Sequence, residues 1–378
     1  MIPDSASSRA PLRGLLRPLA TTAFTLWLLV PPATPGEAAE PRAANVHHVE
    51  VLSEPYTIDR IYKSMAGPEG VQQIRLSSGD VPELLWITGY RVTVVGADGQ
   101  AAVSQEFMCH NNLDFAPAVH ARLFDHATLA TSRLFTLSQG QFATELPKGF
   151  GLPVMSNEPL VLTTQVLNHN HPDINIQVRH KVSIDFVRDK ELTEPMRALF
   201  PTYGFVVALV AGKDGNFGTD DATETQKHAS CLPGVQAPNV KNNQAFYDDG
   251  HGRTVTGHWV VKPGHEERHT LVTSMMRVPY DTRIHFIGVH LHPFARSLEL
   301  RDLNTGKTVF RSHARNPATG IGLDHVETFA SREGLPVYKD HEYELVSVYE
   351  NGSGLEQDAM ATMFFYLEDK MFQKPQLN

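Results

Sequence analysis

Two histidines separated by one residue, His290 and His292, are the strongest candidates for chemistry in this sequence. They lie in the segment IHFIGVHLH, and on a β-strand residues i and i+2 point to the same face. The two imidazoles would then stand side by side as a bidentate metal clamp. His285 would fall on the opposite face, and Pro293 would end regular pairing directly after the clamp. The alternative is a pair of solvated histidines on an exposed strand face.

A methionine near the carboxyl end, Met360, is the second candidate. It follows an acidic turn and precedes the apolar run ATMFFYL. A thioether is a soft ligand, so together with two imidazoles it would select copper over zinc or calcium and favour the reduced Cu(I) state. The alternative is that Met360 only fills the core, as most methionines do.

A third group of candidates comes from two segments of the first half of the chain. Cys109 and His110 are adjacent in EFMCHNNLDF, and His169 and His171 repeat the i, i+2 spacing in QVLNHNHP. These four residues could form a second metal site. The alternative for His169 and His171 is that they are turn residues before Pro172.

The other histidines considered have no spacing that singles them out. We therefore expect them on the surface or in the core: His47, His48, His258, His265 and His269. The sequence contains no Gly-rich phosphate loop, nucleophile elbow or HExxH motif, so nucleotide binding, serine hydrolysis and zincin chemistry have no support.

The segments that would position these residues are short and alternate between apolar and polar residues. The clearest are 87–99, 176–187, 284–292 and 343–354, each ended by residues typical of turns, which predicts strands. Helical periodicity is nearly absent, with 117–130 and 190–200 as the best helix candidates.

The expected fold is therefore all-β, with two tandem antiparallel jelly-roll-like β-sandwich domains. A charged stretch at 188–198 follows one set of strands and precedes another, so we predict domains at 45–190 and 197–372, the second carrying the copper site. Residues 212–252 are polar and rich in Gly, Asn and Asp, which indicates a long surface excursion.

The amino terminus predicts export. Three arginines precede an apolar run from Leu19 to Val30, and small residues follow at 36–39. This order is typical of a secretory signal peptide, and the run is shorter than the roughly 20 residues of a membrane-spanning helix. We expect residues 1–38 to be removed and the protein to be periplasmic or extracellular. The alternative is an uncleaved amino-terminal anchor.

The charge of the chain limits its partners. The formal net charge is −9, and there is no basic run after the predicted signal peptide. These features argue against a nucleic-acid partner, and against membrane binding once the signal peptide is cleaved. A small-molecule or peptide substrate is the expected partner.

The sequence has two cysteines, Cys109 and Cys231. In an oxidising compartment an even number favours a disulfide between them. Two alternatives stay open. Cys109 could be a metal ligand, because it lies beside His110, or either thiol could be buried and inert.

In their order along the chain, these motifs resemble those of the copper type II, ascorbate-dependent monooxygenases, the family that includes peptidylglycine α-hydroxylating monooxygenase, and its bacterial relatives in particular. The His-x-His strand of that family is matched by His290-Leu291-His292. Its Asp-x-Met segment, about seventy residues later, is matched by Asp358-Ala359-Met360. The resemblance implies that His290, His292 and Met360 hold the copper at which dioxygen binds and the substrate is attacked.

The first half of the chain resembles the family less closely. The His-His pair of the family is matched by Cys109-His110, and its later histidine by His169 or His171, with His169 the better match. The cysteine in place of a histidine is the main departure. In the family, two coppers sit on separate domains across an open cleft, and each supplies one electron.

The function that the resemblance implies is hydroxylation of an activated C–H bond, with one or two copper ions, dioxygen and an external reductant such as ascorbate. The departure at Cys109 motivates an alternative, a non-catalytic protein that stores, senses or delivers copper on the same scaffold. A third hypothesis is a two-domain interaction module in which the histidines are solvated.

Overall fold

The computed structural model describes residues 45–77, 79, 81–124, 131–209, 246–248 and 254–376. The predicted signal peptide, most of the polar region 212–252, and Cys231 lie outside these residues. The disulfide therefore stays a prediction. The described residues belong to one compact unit, Ala43–Asn378.

Strands predominate among the described residues of both halves, and the described part of the first half contains ten. They are β1 (His47–Leu52), β2 (Tyr56–Ile58), β3 (Glu69–Ile74), β4 (Leu84–Gly96), β5 (Met108–Phe115), β6 (Arg133–Ser138), β7 (Ala143–Glu145), β8 (Phe150–Met155), β9 (Leu160–Val166) and β10 (Ile176–Arg188).

The second half contributes fourteen strands to the described part of the chain. They are β11 (Arg197–Phe205), β12 (Ala208–Leu209), β13 (Phe246–Asp248), β14 (Thr254–Thr256), β15 (Trp259–Val261), β16 (Gly264–Leu271), β17 (Thr282–Leu291), β18 (Ala295–Asp302), β19 (Lys307–Arg315), β20 (His325–Val326), β21 (Phe329–Val337), β22 (Tyr343–Asn351), β23 (Gln357–Ala359) and β24 (Ala361–Glu368). Helices are short: α1 (Pro117–Leu123), α2 (Thr273–Met276), and 3₁₀ turns at Gln105–Phe107 and Asp189–Glu191.

One large sheet runs through both halves in the order β1-β10-β4-β8-β11-β24-β17-β21, with β2 beside β10 and β7 beside β4. In the first half it is accompanied by the sheet β3-β9-β5-β6, and in the second half by the sheet β16-β22-β18-β19-β20. The halves join where β8 and β11 pair in parallel over two residue positions, Arg197 with Phe150 and Ala198 with Gly151. The other strand pairings of the described residues are antiparallel.

Each half has its own apolar core. The first-half core draws mainly on residues 56–205 and includes Tyr90, Phe135 and Leu162. The second-half core draws on residues 200–367 and includes Trp259 and Phe365. Side chains on a strand alternate between its two faces, so a strand shared by both halves can contribute side chains to both cores. The all-β fold with two β-sandwich halves is confirmed, whereas the domain boundary between 190 and 197 stays a prediction.

The helix predicted over 190–200 is wrong. Residues Asp189–Glu191 form one 3₁₀ turn, and β11 begins at Arg197. From Ala198 onwards β11 is buried, and it pairs with β24 from Leu199 to Phe205. A short, largely apolar segment without alternation is compatible with a buried strand or a helix, and its tertiary pairing decides between them. The helix predicted over 117–130 is present as α1, and residues 125–130 lie outside the described part of the chain.

Across the described residues, no helix has both the length and the apolar character needed to cross a membrane.

Candidate metal centre

The two faces of β24 pack against different halves of the protein. Met363 and Phe365 belong to the second-half core, whereas Phe364 and Tyr366 belong to the first-half core. Strand alternation places Thr362, and Met360 just before the strand, on the same face as Phe364. This face of β24 is therefore turned toward the first half of the chain.

Strand β17 also has one face toward each half of the protein. The histidine clamp lies on the face that is turned toward the first half. The β17 residues Ile287, Val289 and Leu291 lie in the second-half core, so His290 points the other way. His290 is paired with Thr362 of β24, and residues directly opposite in an antiparallel pair share a face.

Pairing continues for one residue beyond β17, because the backbone N–H of His292 donates to the carbonyl oxygen of Met360 at 3.1 Å. The rings of His290 and His292 meet edge to face, with centroids 5.2 Å apart. All three predicted ligands are buried, and Met360, unlike Met363, belongs to none of the apolar clusters of the described residues. The structure thus brings His290, His292 and Met360 to one place on one face.

An aspartate, Asp358, lies between two histidines at this place. Its Oδ1 is 3.2 Å from Nδ1 of His258, and its Oδ2 is 2.7 Å from Nδ1 of His292. The second contact lacks hydrogen-bond angles and is an ion pair. One donor atom from each of His258, His292 and Asp358 lies within 4.8 Å of the other two, and all three residues are buried.

His258, which the sequence places on the surface or in the core, is buried in the structure and contacts Asp358. His258 immediately precedes β15, and β15 pairs with β23 so that Trp259 lies opposite Ala359. Continued by one residue, that register places His258 opposite Met360 and on the same face as Asp358, whose Oδ1 it contacts. The sequence offers no spacing signal for this, because the two residues are a hundred positions apart; only the Asp-x-Met segment pointed to one of the two partners.

We call His258, His290, His292, Asp358 and Met360 together the centre. Within it, Asp358 and His292 form a buried ion pair. Burial alone would raise the pKa of Asp358, but the positive charges of His292 and His258 lower it below its ordinary value. Burial would lower the pKa of His292, and the charge of Asp358 overrides this and raises it. Burial, and then the charge of His292, lower the pKa of His290 well below its ordinary value. His290 is therefore a neutral imidazole at neutral pH, the form that binds metals.

In the first half, Cys109 and His110 lie on β5 and are both buried. The pairing of β5 with β9 is interrupted between Met108 and His110, so Cys109 stands at a β-bulge. Bulges re-aim side chains that would otherwise alternate strictly. His110 pairs with Ser138 of β6, and its Nδ1 lies 3.2 Å from the side-chain nitrogen of Asn112.

The structure separates the two histidines of the NHNHP segment. His169 and Asp358 line the same cavity of about 220 Å³. Burial, and then the charge of His292, lower the pKa of His169 to about 4. His171 is instead exposed, and its Nε2 lies 3.1 Å from Oε1 of Glu106. His169 thus lines a cavity beside Asp358, whereas His171 belongs to a surface ion pair.

The donor set fits a bound copper ion. Nδ1 of His290, Nε2 of His258 and Nδ1 of His169 are buried and have no hydrogen-bond partner among the described residues. Buried polar atoms are almost always paired, and a bound ion is one explanation of those that are not. Imidazoles with a thioether suit Cu(I), and imidazoles with a carboxylate also suit divalent ions.

No family model matches the sequence, and no curated protein matches it. Among solved structures, a peptide-N(4)-(N-acetyl-β-D-glucosaminyl) asparagine amidase is similar at 8% identity and a TM-score of 0.35, covering 88% of this chain and 99% of that chain. PNGase F, a glycosylasparaginase from Flavobacterium meningosepticum, is similar at 9% identity and a TM-score of 0.32, covering 88% and 99%. Likenesses this weak carry no conclusion about function, and the resemblance to copper monooxygenases stays a prediction.

Proposed function

We propose that this chain is an exported copper-dependent monooxygenase that hydroxylates an activated C–H bond with dioxygen and an external reductant such as ascorbate. The observation that carries the proposal is that His290, His292 and Met360 lie together, buried, on one face of the β17–β24 pair. These are the residues that the family resemblance assigns to the catalytic copper. Copper would supply the one-electron and dioxygen chemistry that side chains lack.

The protein's own contribution is the geometry and protonation of the donors. The low pKa of His290 keeps its ring neutral, so a lone pair is available without the loss of a proton. The carboxylate of Asp358 contacts Nδ1 of both His258 and His292. Carboxylates hold metal-binding histidines in this way in many sites, and they raise the basicity of the ring.

The substrate would enter through the cavity beside the centre. Its wall combines apolar residues, Ile321 and Leu355 among them, with Lys63, His169 and Asp358. A cavity of about 220 Å³ suits a small molecule or the end of a peptide rather than a folded protein. This agrees with the substrate class expected from the sequence.

A second function, copper storage or delivery without catalysis, is favoured by one observation. Cys109 is buried on β5 where the resemblance expects a histidine. A thiolate is a stronger ligand for Cu(I) than an imidazole, which would suit retention of the metal better than turnover.

The two functions are separated by metal analysis of the purified protein together with oxygen uptake in the presence of ascorbate. Copper in the protein with reductant-dependent oxygen uptake that a substrate stimulates would support the monooxygenase. Copper without uptake would support the carrier, and absence of copper binding would overturn both. The matched variants are His292→Gln in the centre and His265→Gln on the exposed strand β16; only the first should lose copper.

A further inference from the structure

The ligands that the sequence assigns to two separate sites come from the two halves of the chain, and the structure packs these halves closely together. We infer that His110 and His169 of the first half and His258, His290 and His292 of the second half form one composite copper centre at the contact between the halves. This inference rests on the proposed copper function, and it replaces the open cleft between two independent sites that the family resemblance implies.

The first support is that the ligand face of the second half is the face that packs on the first half. Phe286 of β17 and Phe364 and Tyr366 of β24 lie in the first-half core. The hydroxyl of Tyr366 donates to the carbonyl oxygen of Leu134 on β6 at 2.6 Å. His290 and Met360 are on this same face of the β17–β24 pair. Their side chains therefore point toward the first half and not toward solvent.

The second support is the turn after β6, which contacts β17 at the residue before His290. The backbone N–H of Val289 donates to Oε1 of Gln141 at 2.9 Å, and Val289 is the neighbour of His290. Ser138, at the start of the same turn, pairs with His110. The turn from Ser138 to Gln141 thus contacts the strand of His110 at one end and the neighbour of His290 at the other.

This turn fits tightly against the second half. The backbone N–H of Val326 donates to the carbonyl oxygen of Gly140 at 3.0 Å. Gly140 has a φ of +83°, and a Cβ there would lie 2.8 Å from Cγ2 of Val326. A side chain would therefore be strained and would also push the halves apart, so glycine permits the close approach.

The third support is a second link on the side of His169. The backbone N–H of Ile321 donates to Oδ1 of Asn170 at 2.8 Å, and Nδ2 of Asn170 donates to the carbonyl oxygen of Ile321 at 3.0 Å. The side-chain amide of Asn170 thus forms two hydrogen bonds with the backbone of a loop in the second half, as a residue of a neighbouring strand does. Its neighbour His169 shares a cavity wall with Asp358.

The test uses the full protein loaded with Cu(I) and titrated with a chromophoric Cu(I) chelator. In a composite centre, His110→Gln and His169→Gln each lower the affinity of all bound copper by at least about tenfold, including the copper held by His290, His292 and Met360. His171→Gln is the matched control from the same segment as His169, and we expect its copper affinity to equal that of the parent within twofold.

The spectroscopic test is independent of affinity. After oxidation, two Cu(II) ions in one centre broaden each other's electron paramagnetic resonance signal, and a single shared ion shows a changed nitrogen hyperfine pattern in both His110→Gln and His292→Gln. Two unbroadened signals, each removed by variants of only one half and with the other affinity unchanged, would overturn the composite centre and leave copper binding intact. Failure to bind copper at all would overturn the proposed function. Because the two variants of the first half lie on different segments, a folding defect in one leaves the other to decide.

Discussion

The carboxylate of Asp358 lies 2.7 Å from the ring of His292, and both groups are buried. Desolvation of a buried ion pair is costly, and such pairs are often no more stabilising than apolar residues of the same volume. A position of this kind between two histidines therefore agrees better with a role in the proposed metal centre than with a role in stability.

The first prediction concerns this carboxylate. We expect Asp358→Asn to lower copper affinity by roughly 10- to 100-fold, because the rings of His258 and His292 lose the charge that orients them and raises their basicity. The measurement is competition with a Cu(I) or Cu(II) chelator.

The matched control for this variant is Asp302→Asn. Asp302 is also buried, and its Oδ2 lies 2.8 Å from Nδ1 of His341, but it is not part of the centre. Its variant should keep the parent's copper affinity. Equal affinities for Asp358→Asn and the parent protein would remove Asp358 from the centre.

The second prediction concerns the thioether. Met360→Leu keeps the volume of the side chain, so the free energy of unfolding should change by less than about 1.5 kcal/mol, while Cu(I) affinity should fall by about tenfold or more. Alanine would be a poor choice at this fully buried position, because a cavity costs roughly 2–5 kcal/mol by itself.

The control for the thioether is Met363→Leu, on the opposite face of β24 in the second-half core. It should cost similar stability and leave Cu(I) affinity unchanged. If both leucine variants bind Cu(I) as the parent does, Met360 is a packing residue.

The third prediction concerns the histidine that sequence reasoning missed. His258→Gln should lower Cu(II) affinity by about tenfold or more and remove one nitrogen from the hyperfine pattern, because the buried Nε2 of His258 has no hydrogen-bond partner in the described structure. His265→Gln, on exposed β16, should change neither property. An unchanged nitrogen pattern in His258→Gln would show that His258 only supports Asp358.

The fourth prediction concerns acid stability and a different histidine, His180. Its ring is fully buried, Nδ1 lies 3.1 Å from the side-chain nitrogen of Asn111, and burial lowers its pKa from 6.5 to about 3. Above pH 6.5 the ring is neutral in both states and its stability contribution is complete. As the pH falls from 6.5 through about 3, only the unfolded state binds a proton, so stability is lost, by about 2 kcal/mol at pH 5.

Urea unfolding at pH 7 and pH 5 measures this loss. His180→Gln cannot take up the proton in either state, so its free energy of unfolding should fall less between the two pH values than that of the parent protein. His265→Gln should behave like the parent. Equal losses in the parent and in His180→Gln would contradict the burial of a neutral ring at this position.

Much of the fold was predictable because strands are recognised by a local pattern. The alternation in 284–292 and 343–354 predicts β17 and β22, and both are present. The strand β11 was missed because its sequence has no clear alternation and is buried on both faces, and its pairing with β24 makes it a strand.

For the centre, too, some features follow from local sequence and others depend on contacts between distant residues. The sequence by itself determined that His290 and His292 share a face, because a period of two residues belongs to the strand and needs no partner. Only the tertiary structure decided that Met360 lies beside them, that Asp358 contacts both His258 and His292, and that His169 rather than His171 lines the cavity beside Asp358. These placements depend on the registers of β17 with β24 and of β15 with β23, and on the packing of one half against the other. A register is set by contacts between residues far apart in the chain, and no local spacing encodes it.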